Sequence, residues 1–341
     1  MAHIGILLPV YNSEATLAAA LDSLVAQTFE DWETWILDDG STDATADLAR
    51  AYQARDPRFK YIALPHRGIP PTLNEGLRLC HTPLLARMDG DDLCEPTRFA
   101  AQLALLAARP DVGVVATQIR SFHSDGTPPG SGMTRYVRWV NRLISPEEHF
   151  RERYVESSVA HSSILAPREV LRGGYRDLDW CEDYDLWLRL MQRGVRFAKV
   201  PEVLLAVRDE ADRISRNDYR YTQDALRRCK LDHLLDAEVG PLAGRRQILF
   251  WGAGRVGKHW LRELPALGVS IAAAVDLHPR KLGLRIHGAV VIPPDALADH
   301  WRRLENPFLL AAVGARGARP EIRAYLDGLG LHELDDYLFV A

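Results

Sequence analysis

Short apolar runs alternate with longer amphipathic stretches along the first third of the chain. The apolar runs have the length and the bounding turn residues of buried strands, and they cover residues 4–10, 32–37, 59–64, 84–88 and 112–117. The stretches between them repeat apolar side chains at helical spacing, at residues 17–25, 44–54, 72–80 and 96–108. Strands that alternate with helices of this length predict an α/β fold with a doubly wound, mostly parallel sheet.

The pattern changes between residues 121 and 154, where glycine, proline and serine interrupt it and predict loops. This segment contains a basic, aromatic stretch with Arg135, Arg138, Trp139 and Arg142. The stretch either meets an anionic lipid headgroup or a lipid diphosphate, or it forms an amphipathic helix packed on the domain. Further helices are predicted at residues 183–193 and 217–235.

A hinge rich in glycine and proline follows at residues 238–244, and a new strand begins after it. We therefore predict one domain over residues 1–238 and a smaller one over residues 245–341. The length of 341 residues agrees with two domains.

The smaller domain is predicted to be Rossmann-like. Gly252, Gly254 and Gly257 follow its first strand and open a helix, and Asp276 ends the next strand about 20 residues on, as the dinucleotide fingerprint requires. A site for NAD or another nucleotide is one interpretation. A structural turn and a dimerisation module are the favoured alternatives, since residues 245–341 are too few for a dinucleotide fold and a catalytic domain together.

The composition narrows the class of protein. The chain is 47% hydrophobic and 26% charged, as ordinary globular proteins are, and its net charge of −4 gives no reason to expect nucleic acid as a partner. The four cysteines lack C-x-x-C spacing and are expected to be reduced thiols. We expect neither a signal peptide nor a membrane span, hence a cytoplasmic protein with at most peripheral contact at the inner face of the membrane.

Carboxylates stand at the predicted strand ends. Asp89, Asp91 and Asp92 close the fourth strand, and Asp39 closes the second. Parallel strands put their carboxyl ends at one edge of the sheet, where open α/β sheets bind ligands. Clustered carboxylates are the ligands that Mg²⁺ or Mn²⁺ prefers, and such ions commonly bridge protein to phosphate.

These acids belong to an ordered series of motifs at residues 9–12, 27–29, 38–43, 73–77, 86–92, 96–99, 161–163, 173–175 and 182–190. The series resembles family 2 glycosyltransferases of the GT-A fold over about residues 1–215. The resemblance implies inverting transfer of a sugar from a nucleotide-diphosphate sugar, most often UDP-linked, to a hydroxyl group. The acceptor would be a saccharide or a lipid-linked saccharide in bacterial polysaccharide or glycoconjugate assembly. Residues 1–117 would then form the nucleotide-binding half, and residues 118–238 the acceptor-side half with a helical extension.

The resemblance also implies how the nucleotide sugar is bound. Pro9, Tyr11 and Asp39 would hold the uracil and ribose, and Asp89 would meet the ribose or the metal. Tyr11 could instead be an aromatic residue at the edge of the core, and Asp39 a turn cap. Arg87 either pairs with the diphosphate or neutralises the acidic cluster.

The same resemblance assigns the chemistry. Asp91, with Asp89, would ligate Mn²⁺ or Mg²⁺, and Asp183 would be the general base, unless its neighbour Glu182 takes that role. Taken alone, Glu182 and Asp183 could equally be an acidic pair at a helix N-terminus. Asp92 either supports the site from behind or caps the next helix.

The chain departs from the family pattern after residue 207. The family often has a metal- or diphosphate-contacting histidine there, and Glu210 occupies that position. Glu210 could ligate the metal, Arg208 and Arg213 could contact phosphate instead, or the segment could be a solvated loop. His161 is a candidate on the acceptor side or a hydrogen-bonded structural residue.

Two alternative functions are open at this point. The glycine-rich segment of the smaller domain would suit an NAD(P)-dependent oxidoreductase. A non-catalytic nucleotide-sugar-binding protein would keep the pocket without the reaction. Donor sugar, acceptor and oligomeric state are not determined by the residues, and a homo-oligomer is compatible with them.

Overall fold

The computed structural model describes residues 3–211, 213–245, 247–315 and 317–341. The chain divides into two compact units. The first comprises the described residues up to Phe150 together with Ser157–Cys229, and the second comprises Arg151–Glu156 together with the described residues of Lys230–Ala341. The predicted boundary near residue 240 came from composition; contacts place the division at Cys229 and add a short earlier segment to the second unit.

Eight strands of the first unit form one sheet in the order β3-β2-β1-β4-β7-β6-β8-β5. The strands are β1 Ile4–Val10, β2 Trp32–Asp38, β3 Phe59–Ala63, β4 Leu84–Arg87, β5 Leu93–Cys94, β6 Val114–Phe122, β7 Leu165–Pro167 and β8 Phe197–Arg208. The helices are α1 Leu17–Val25, α2 Thr45–Arg55, α3 Ile69–Leu79, α4 Arg98–Ala108, α5 Ser131–Val140, α6 Pro146–Glu152, α7 Glu182–Gln192, α8 Ile214–Asn217 and α9 Gln223–Leu234. Helices α6 and α9 continue into the second unit.

The predicted α/β fold with a mostly parallel sheet is confirmed. Strands β1, β2, β3 and β4 are parallel neighbours, and β6 and β8 are parallel as well, whereas β7 and β5 run antiparallel to their neighbours. Val10 pairs with Asp38 and Leu7 with Arg87, so the carboxyl ends of β1, β2 and β4 share one edge. The sheet therefore brings the acidic strand ends together as the sequence predicted.

Alternation along β1 decides which helices cover each face. Ile4, Ile6 and Leu8 point to one hydrophobic cluster, which includes residues of α1, α2 and α4. Leu7 points to the other, which includes residues of α3 and α7. Both faces of the sheet are thus buried, as a parallel sheet requires.

Residues 118–154 are more regular than predicted. The expected loops are wrong over α5 and α6, and β6 extends to Phe122. Tyr136, Val137 and Trp139 of α5 pack against the core, which supports the packed-helix interpretation of the basic, aromatic stretch. Sequence periodicity missed the long β8 because three exposed residues at positions 201–203, the first of them Pro201, interrupt its buried pattern.

The second unit contains a six-stranded sheet in the order β11-β12-β10-β9-β13-β14. Its strands are β9 Gln247–Trp251, β10 Ser270–Val275, β11 Arg285–Ile286, β12 Ala289–Ile292, β13 Leu309–Ala311 and β14 Tyr337–Phe339, and its longer helices are α10 Arg255–Ala266, α11 Leu297–Arg302 and α12 Ala318–Gly328. All neighbours are parallel except β11, which pairs antiparallel with β12.

The early segment of the second unit is anchored by ion pairs. Glu152 is 7% exposed. Its carboxylate accepts hydrogen bonds from Arg319, at 2.6 Å, and from Arg323, at 3.2 Å. Two guanidinium groups therefore compensate one buried carboxylate.

Among the described residues, no helix is both long and apolar enough to cross a bilayer. All four cysteines are buried, and no disulfide joins them in the described part of the chain.

Gly5 provides a test of packing in the first unit. A Cβ at this position would lie 2.1 Å from the Cys80 Sγ and 2.4 Å from the Thr82 Oγ1. We expect Gly5→Ala to lower the free energy of unfolding by about 1–3 kcal/mol, because both neighbours are buried and must move. The measurement is urea unfolding followed by tryptophan fluorescence.

Gly132→Ala is the matched control, because a Cβ at Gly132, in α5, meets no atom within 4 Å. We expect this variant to keep or slightly raise stability. Equal stability of the two variants would contradict the packing described for Gly5.

Candidate active site

The acidic cluster at the end of β4 is a compact group of oxygen ligands. Asp89, Asp91 and Asp92 each offer one carboxylate oxygen, and these atoms lie within 4.8 Å of one another. Arg87, the last residue of β4, is 4% exposed and forms an ion pair with Asp89. Asp89 is thus partly neutralised by the protein itself.

The described residues form no ion pair with Asp91, although the charges of Arg213 and Arg87 partly offset its burial. Burial, followed by the charges of Asp89 and Asp92, raises the pKa of Asp91 to about 7. Within the described residues, no hydrogen-bond donor contacts the Asp91 carboxylate. Asp91 is therefore the carboxylate of this cluster whose charge most needs an external cation.

Asp92 is held from behind by two donors. The Ser162 hydroxyl donates to one of its oxygens at 2.5 Å, and the Arg208 backbone N–H donates to the other at 3.0 Å. Burial and the charge of Asp89 still raise the pKa of Asp92, to about 6. The interpretation of Asp92 as a helix cap is wrong, since α4 begins after Thr97 and no side chain caps it.

The cluster fits a divalent cation. Its ligand atoms are hard carboxylate oxygens, and burial beside neighbouring carboxylates raises the pKa of Asp91 and of Asp92. Asp91 and Asp89 would hold the ion, because both oxygens of Asp92 already accept protein hydrogen bonds.

The segment that departs from the family pattern braces this cluster. The Arg208 Nε donates to the Asp91 backbone carbonyl at 2.9 Å, and the guanidinium lies 4.7 Å from the centre of the Phe122 ring. Glu210 accepts hydrogen bonds from the Ser124 N–H at 2.7 Å and from the Ser124 hydroxyl at 2.5 Å. Ser124 thus engages the Glu210 carboxylate, and Glu210 is absent from the acidic cluster formed by the described residues.

The second strand end places Asp39 beside a stacked aromatic pair. The Asp39 carboxylate is nearly buried and accepts hydrogen bonds from the Arg67 N–H, the Gly68 N–H and the Thr72 hydroxyl, each at 2.9 Å. Its Oδ2 also lies 2.8 Å from the Nδ1 of His66.

Tyr11 stacks on His66 with ring centres 4.3 Å apart, and Tyr11 is 44% exposed. The pair presents a flat aromatic surface at the strand edge. Pro9 precedes it, half-buried in β1. The interpretation of Tyr11 as a residue at the edge of the core fits its stacking, but its exposure also leaves a face open to a ligand.

Glu182 and Asp183 begin α7. Glu182 is 3% exposed, and the Tyr221 hydroxyl donates to its Oε2 at 2.8 Å. Asp183 is half-buried and accepts from the Tyr184 N–H at 2.7 Å. Burial and the adjacent Glu182 raise the pKa of Asp183 to about 7. This is the range in which a carboxylate can take up a proton near neutral pH.

His161 lies next to Glu182. Its Nε2 is 2.9 Å from the Tyr175 hydroxyl, and its Nδ1 is 3.8 Å from Glu182. Burial, together with the charge of Arg87, holds the pKa of His161 well below its ordinary value. A neutral, hydrogen-bonded histidine supports the structural interpretation of His161.

Arg87 connects the two acidic groups electrostatically. Its charge lowers the pKa of Asp91, and it also lowers the pKa of Glu182 and of Asp183 against the opposing effect of burial. One buried guanidinium therefore acts on both groups of carboxylates.

Two of the three glycines in the glycine-rich segment of the second unit, Gly252 and Gly257, lie close against backbone carbonyl oxygens. A Cβ at Gly252 would lie 2.4 Å from the Ala312 carbonyl oxygen, and one at Gly257 would lie 1.7 Å from the Gly252 carbonyl oxygen, whereas Gly254 faces open space. Asp276 accepts from the Ala253 N–H at 3.0 Å and pairs with Lys281 at 2.8 Å. The nucleotide site predicted from Gly252, Gly254, Gly257 and Asp276 stays a prediction, as does the Rossmann-like assignment.

Comparison with known proteins identifies the family. Residues 5–174 match the model of glycosyl transferase family 2. The putative glycosyltransferase EpsE of Bacillus subtilis is 31% identical over 243 residues, which are 67% of this chain and 83% of EpsE. The chain belongs to glycosyl transferase family 2. It is a glycosyltransferase, as the motif series predicted.

One further relative and one solved structure are also similar to this glycosyltransferase. The amylovoran biosynthesis glycosyltransferase AmsE of Erwinia amylovora is 26% identical over 235 residues, covering 67% of this chain and 85% of AmsE. Among solved structures, S. aureus TarS 1–349 in complex with UDP-GlcNAc superposes with a TM-score of 0.54 at 17% identity, covering 69% of this chain and 67% of that chain. At that identity the likeness shows the fold alone.

Several residues of the site were not predicted. Ser162 and Tyr221 donate hydrogen bonds to Asp92 and Glu182 from 70 and 39 residues away. Ser162 lies in the motif at residues 161–163, but nothing local indicated its bond to Asp92, and Tyr221 lies outside every motif. His66 and Thr72 do lie close to the predicted third strand and helix, but nothing in their spacing indicated a bond to Asp39.

The raised pKa of Asp91 predicts pH-dependent stability in the metal-free protein. The folded state holds this proton more tightly than the unfolded state, so stability is lost as pH rises through about 7. Asp91→Asn cannot ionise. We expect it to gain stability relative to the native protein by on the order of 2 kcal/mol between about pH 5 and pH 8, by thermal or urea unfolding in a chelator.

Asp47→Asn is the control, because the Asp47 side chain is 85% exposed. Its stability relative to the native protein should not change with pH. If Asp91→Asn behaves like this control, the pKa of Asp91 is not raised in the folded protein.

Proposed function

We propose that this glycosyltransferase moves a sugar from a nucleotide-diphosphate sugar to a hydroxyl group with inversion at the anomeric carbon. The observation that carries the proposal is the presence of two carboxylate groups, Asp89 with Asp91 and Glu182 with Asp183, on both of which the charge of Arg87 acts, Arg87 being ion-paired with Asp89. Asp89 and Asp91 would hold the cation that neutralises the leaving diphosphate. Glu182 and Asp183 are suited to taking a proton from the acceptor.

Asp183 is the proposed general base. It is the more exposed of the two acids, whereas Glu182 is fixed by Tyr221 and nearly buried. An acceptor hydroxyl bound at Asp183 would transfer its proton to the carboxylate as its oxygen bonds to the anomeric carbon. The bond from that carbon to the diphosphate oxygen breaks in the same step, and its electrons leave with the nucleoside diphosphate.

Asp91 and Asp89 are the proposed ligands of Mn²⁺ or Mg²⁺. When bound, such an ion neutralises negative charge on a diphosphate. Arg87 holds Asp89 in place by their ion pair. Arg208 fixes the backbone of the same turn through the Asp91 carbonyl.

The nucleotide is proposed to bind at the edge formed by β1 and β2. The exposed face of the Tyr11–His66 stack suits a planar base, and Asp39 positions the adjoining backbone at Arg67 and Gly68. Pro9 would line the base of this nucleotide site. A uridine nucleotide is favoured because the structures similar to this fold include TarS with UDP-GlcNAc and with UDP.

The acceptor is proposed to be a saccharide or lipid-linked saccharide of a surface polysaccharide. The support is the name of AmsE, an amylovoran biosynthesis glycosyltransferase, and that of WbnJ of Escherichia coli, an O-antigen biosynthesis glycosyltransferase. No observation favours the oxidoreductase alternative, because Lys281 and the Ala253 N–H already occupy the Asp276 carboxylate.

Asp183→Asn should abolish sugar transfer and leave nucleotide binding nearly intact, because the amide cannot accept the acceptor proton. A panel of nucleotide sugars is first screened for metal-dependent thermal shift. Turnover is then measured with the donor that binds, and we expect a loss of about 10²–10⁴-fold in kcat.

Asp177→Asn is the matched control, since Asp177 lies six positions away and its side chain is 61% exposed. It should keep native turnover. Near-native turnover by Asp183→Asn would refute the base assignment, and the absence of a shift with every nucleotide diphosphate would refute the donor class.

Glu182→Gln tests whether the charge of Glu182 sets the pKa of Asp183. Asp183 must be ionised to act, so kcat should fall as pH drops through about 7. The charge of Glu182 raises the pKa of Asp183, so its removal should move this acidic limb to lower pH, by about one unit. An unmoved limb in the pH–rate profile would show that Asp183 is not the titrating group.

A further inference from the structure

Three leucines of the second unit are exposed within one short segment. Leu277, Leu282 and Leu284 are 72%, 37% and 55% exposed, and they lie between β10 and β11. A single exposed leucine is ordinary, but three within eight positions put more apolar surface on one short segment than soluble surfaces usually carry. We call residues 277–288 the leucine-basic segment.

The leucine-basic segment is positively charged in a chain of net charge −4. Arg280, Lys281 and Arg285 lie in it, and it contains no acidic residue. Lys281 pairs with the preceding Asp276 at 2.8 Å. Arg280 and Arg285 are exposed, and the described contact of the Arg285 guanidinium is with a neutral backbone carbonyl, that of Gly288. Two cations thus stand among the leucines without a neutralising carboxylate in the segment.

The backbone of the segment is well defined. Asp276 accepts the His278 N–H at 2.8 Å at its start. At its end, His287 and Gly288, with φ of 48° and 87°, form the two-residue turn between β11 and β12. Positive φ at both residues is the type I′ hairpin turn, which fits the twist of the strands. The leucines and arginines are therefore presented by a fixed loop and hairpin.

We propose that the leucine-basic segment docks on a bilayer that contains anionic phospholipids. Exposed leucines suit the boundary between headgroups and acyl chains, and arginines suit the negative headgroups around them. A second copy of this chain fits less well, since a two-fold contact would place Arg280 and Arg285 against the same cations of the partner. The proposal concerns the second unit and does not depend on the proposed reaction.

The test is flotation of the full chain with vesicles. Vesicles of phosphatidylcholine with about one third phosphatidylserine should bind the protein, and pure phosphatidylcholine should bind it about tenfold more weakly or less. Raising the salt to about 0.5 M should release it. L277S/L284S and R280Q/R285Q should each lower the partition coefficient about tenfold.

Matched controls come from the same unit. L267S/L329S removes two leucines that are 53% and 40% exposed but lie outside the segment, and R302Q/R303Q removes two exposed arginines elsewhere. Both controls should bind as the native chain does, and circular dichroism should show every variant folded.

Three outcomes would overturn the proposal. The first is equal binding to both vesicle types, and the second is vesicle binding by L277S/L284S as strong as that of the native chain. The third is that the native chain binds no vesicles but forms a dimer in sedimentation equilibrium, whereas L277S/L284S is a monomer. Failure here leaves turnover by the native chain and by Asp183→Asn unaffected, so the two proposals are tested separately.

Discussion

Arg87, a buried cation, acts on both groups of carboxylates at the candidate active site. It ends β4, pairs with Asp89 and offsets part of the desolvation of Asp91, Glu182 and Asp183. Without a nearby positive charge, so many half-buried carboxylates would take up protons instead of ionising. Arg87 offsets only part of that penalty, and a metal ion could neutralise the residual negative charge and in turn that of a diphosphate. The acidic residues of the candidate site therefore favour a cation electrostatically.

Much of this arrangement was predictable because its signals are local. A short apolar run that ends in carboxylates encodes both a strand and its chemistry, and parallel pairing of β1 with β2 and β4 then brings the ends together. The α/β class, the acidic cluster and the family followed from such segments. Asp183 was also singled out from sequence, and the structure adds the cause of its raised pKa, namely burial beside Glu182.

The remainder depends on contacts between distant segments, which no local pattern encodes. Tyr221 reaches Glu182 across 39 positions, and Ser162 reaches Asp92 across 70. Glu210 was weighed as a metal ligand from its position alone, and its bonds to Ser124, from 86 positions away, decide where the carboxylate points. The helix α5 was offered only as one alternative for the basic, aromatic stretch, because the glycine, proline and serine residues before it predicted loops.

The second unit is assembled from two separate stretches of chain, and this limits how the gene can be rearranged. Arg151–Glu156 leaves the first unit and returns to it at Ser157. Glu152 relies on Arg319 and Arg323 near the C-terminus for its counter-charge. A stop codon that removes the chain from Lys230 onward would therefore leave the Glu152 carboxylate without Arg319 and Arg323. A single contiguous stretch of the gene therefore does not encode the whole second unit, and exchanging only its C-terminal part would leave Arg151–Glu156 behind.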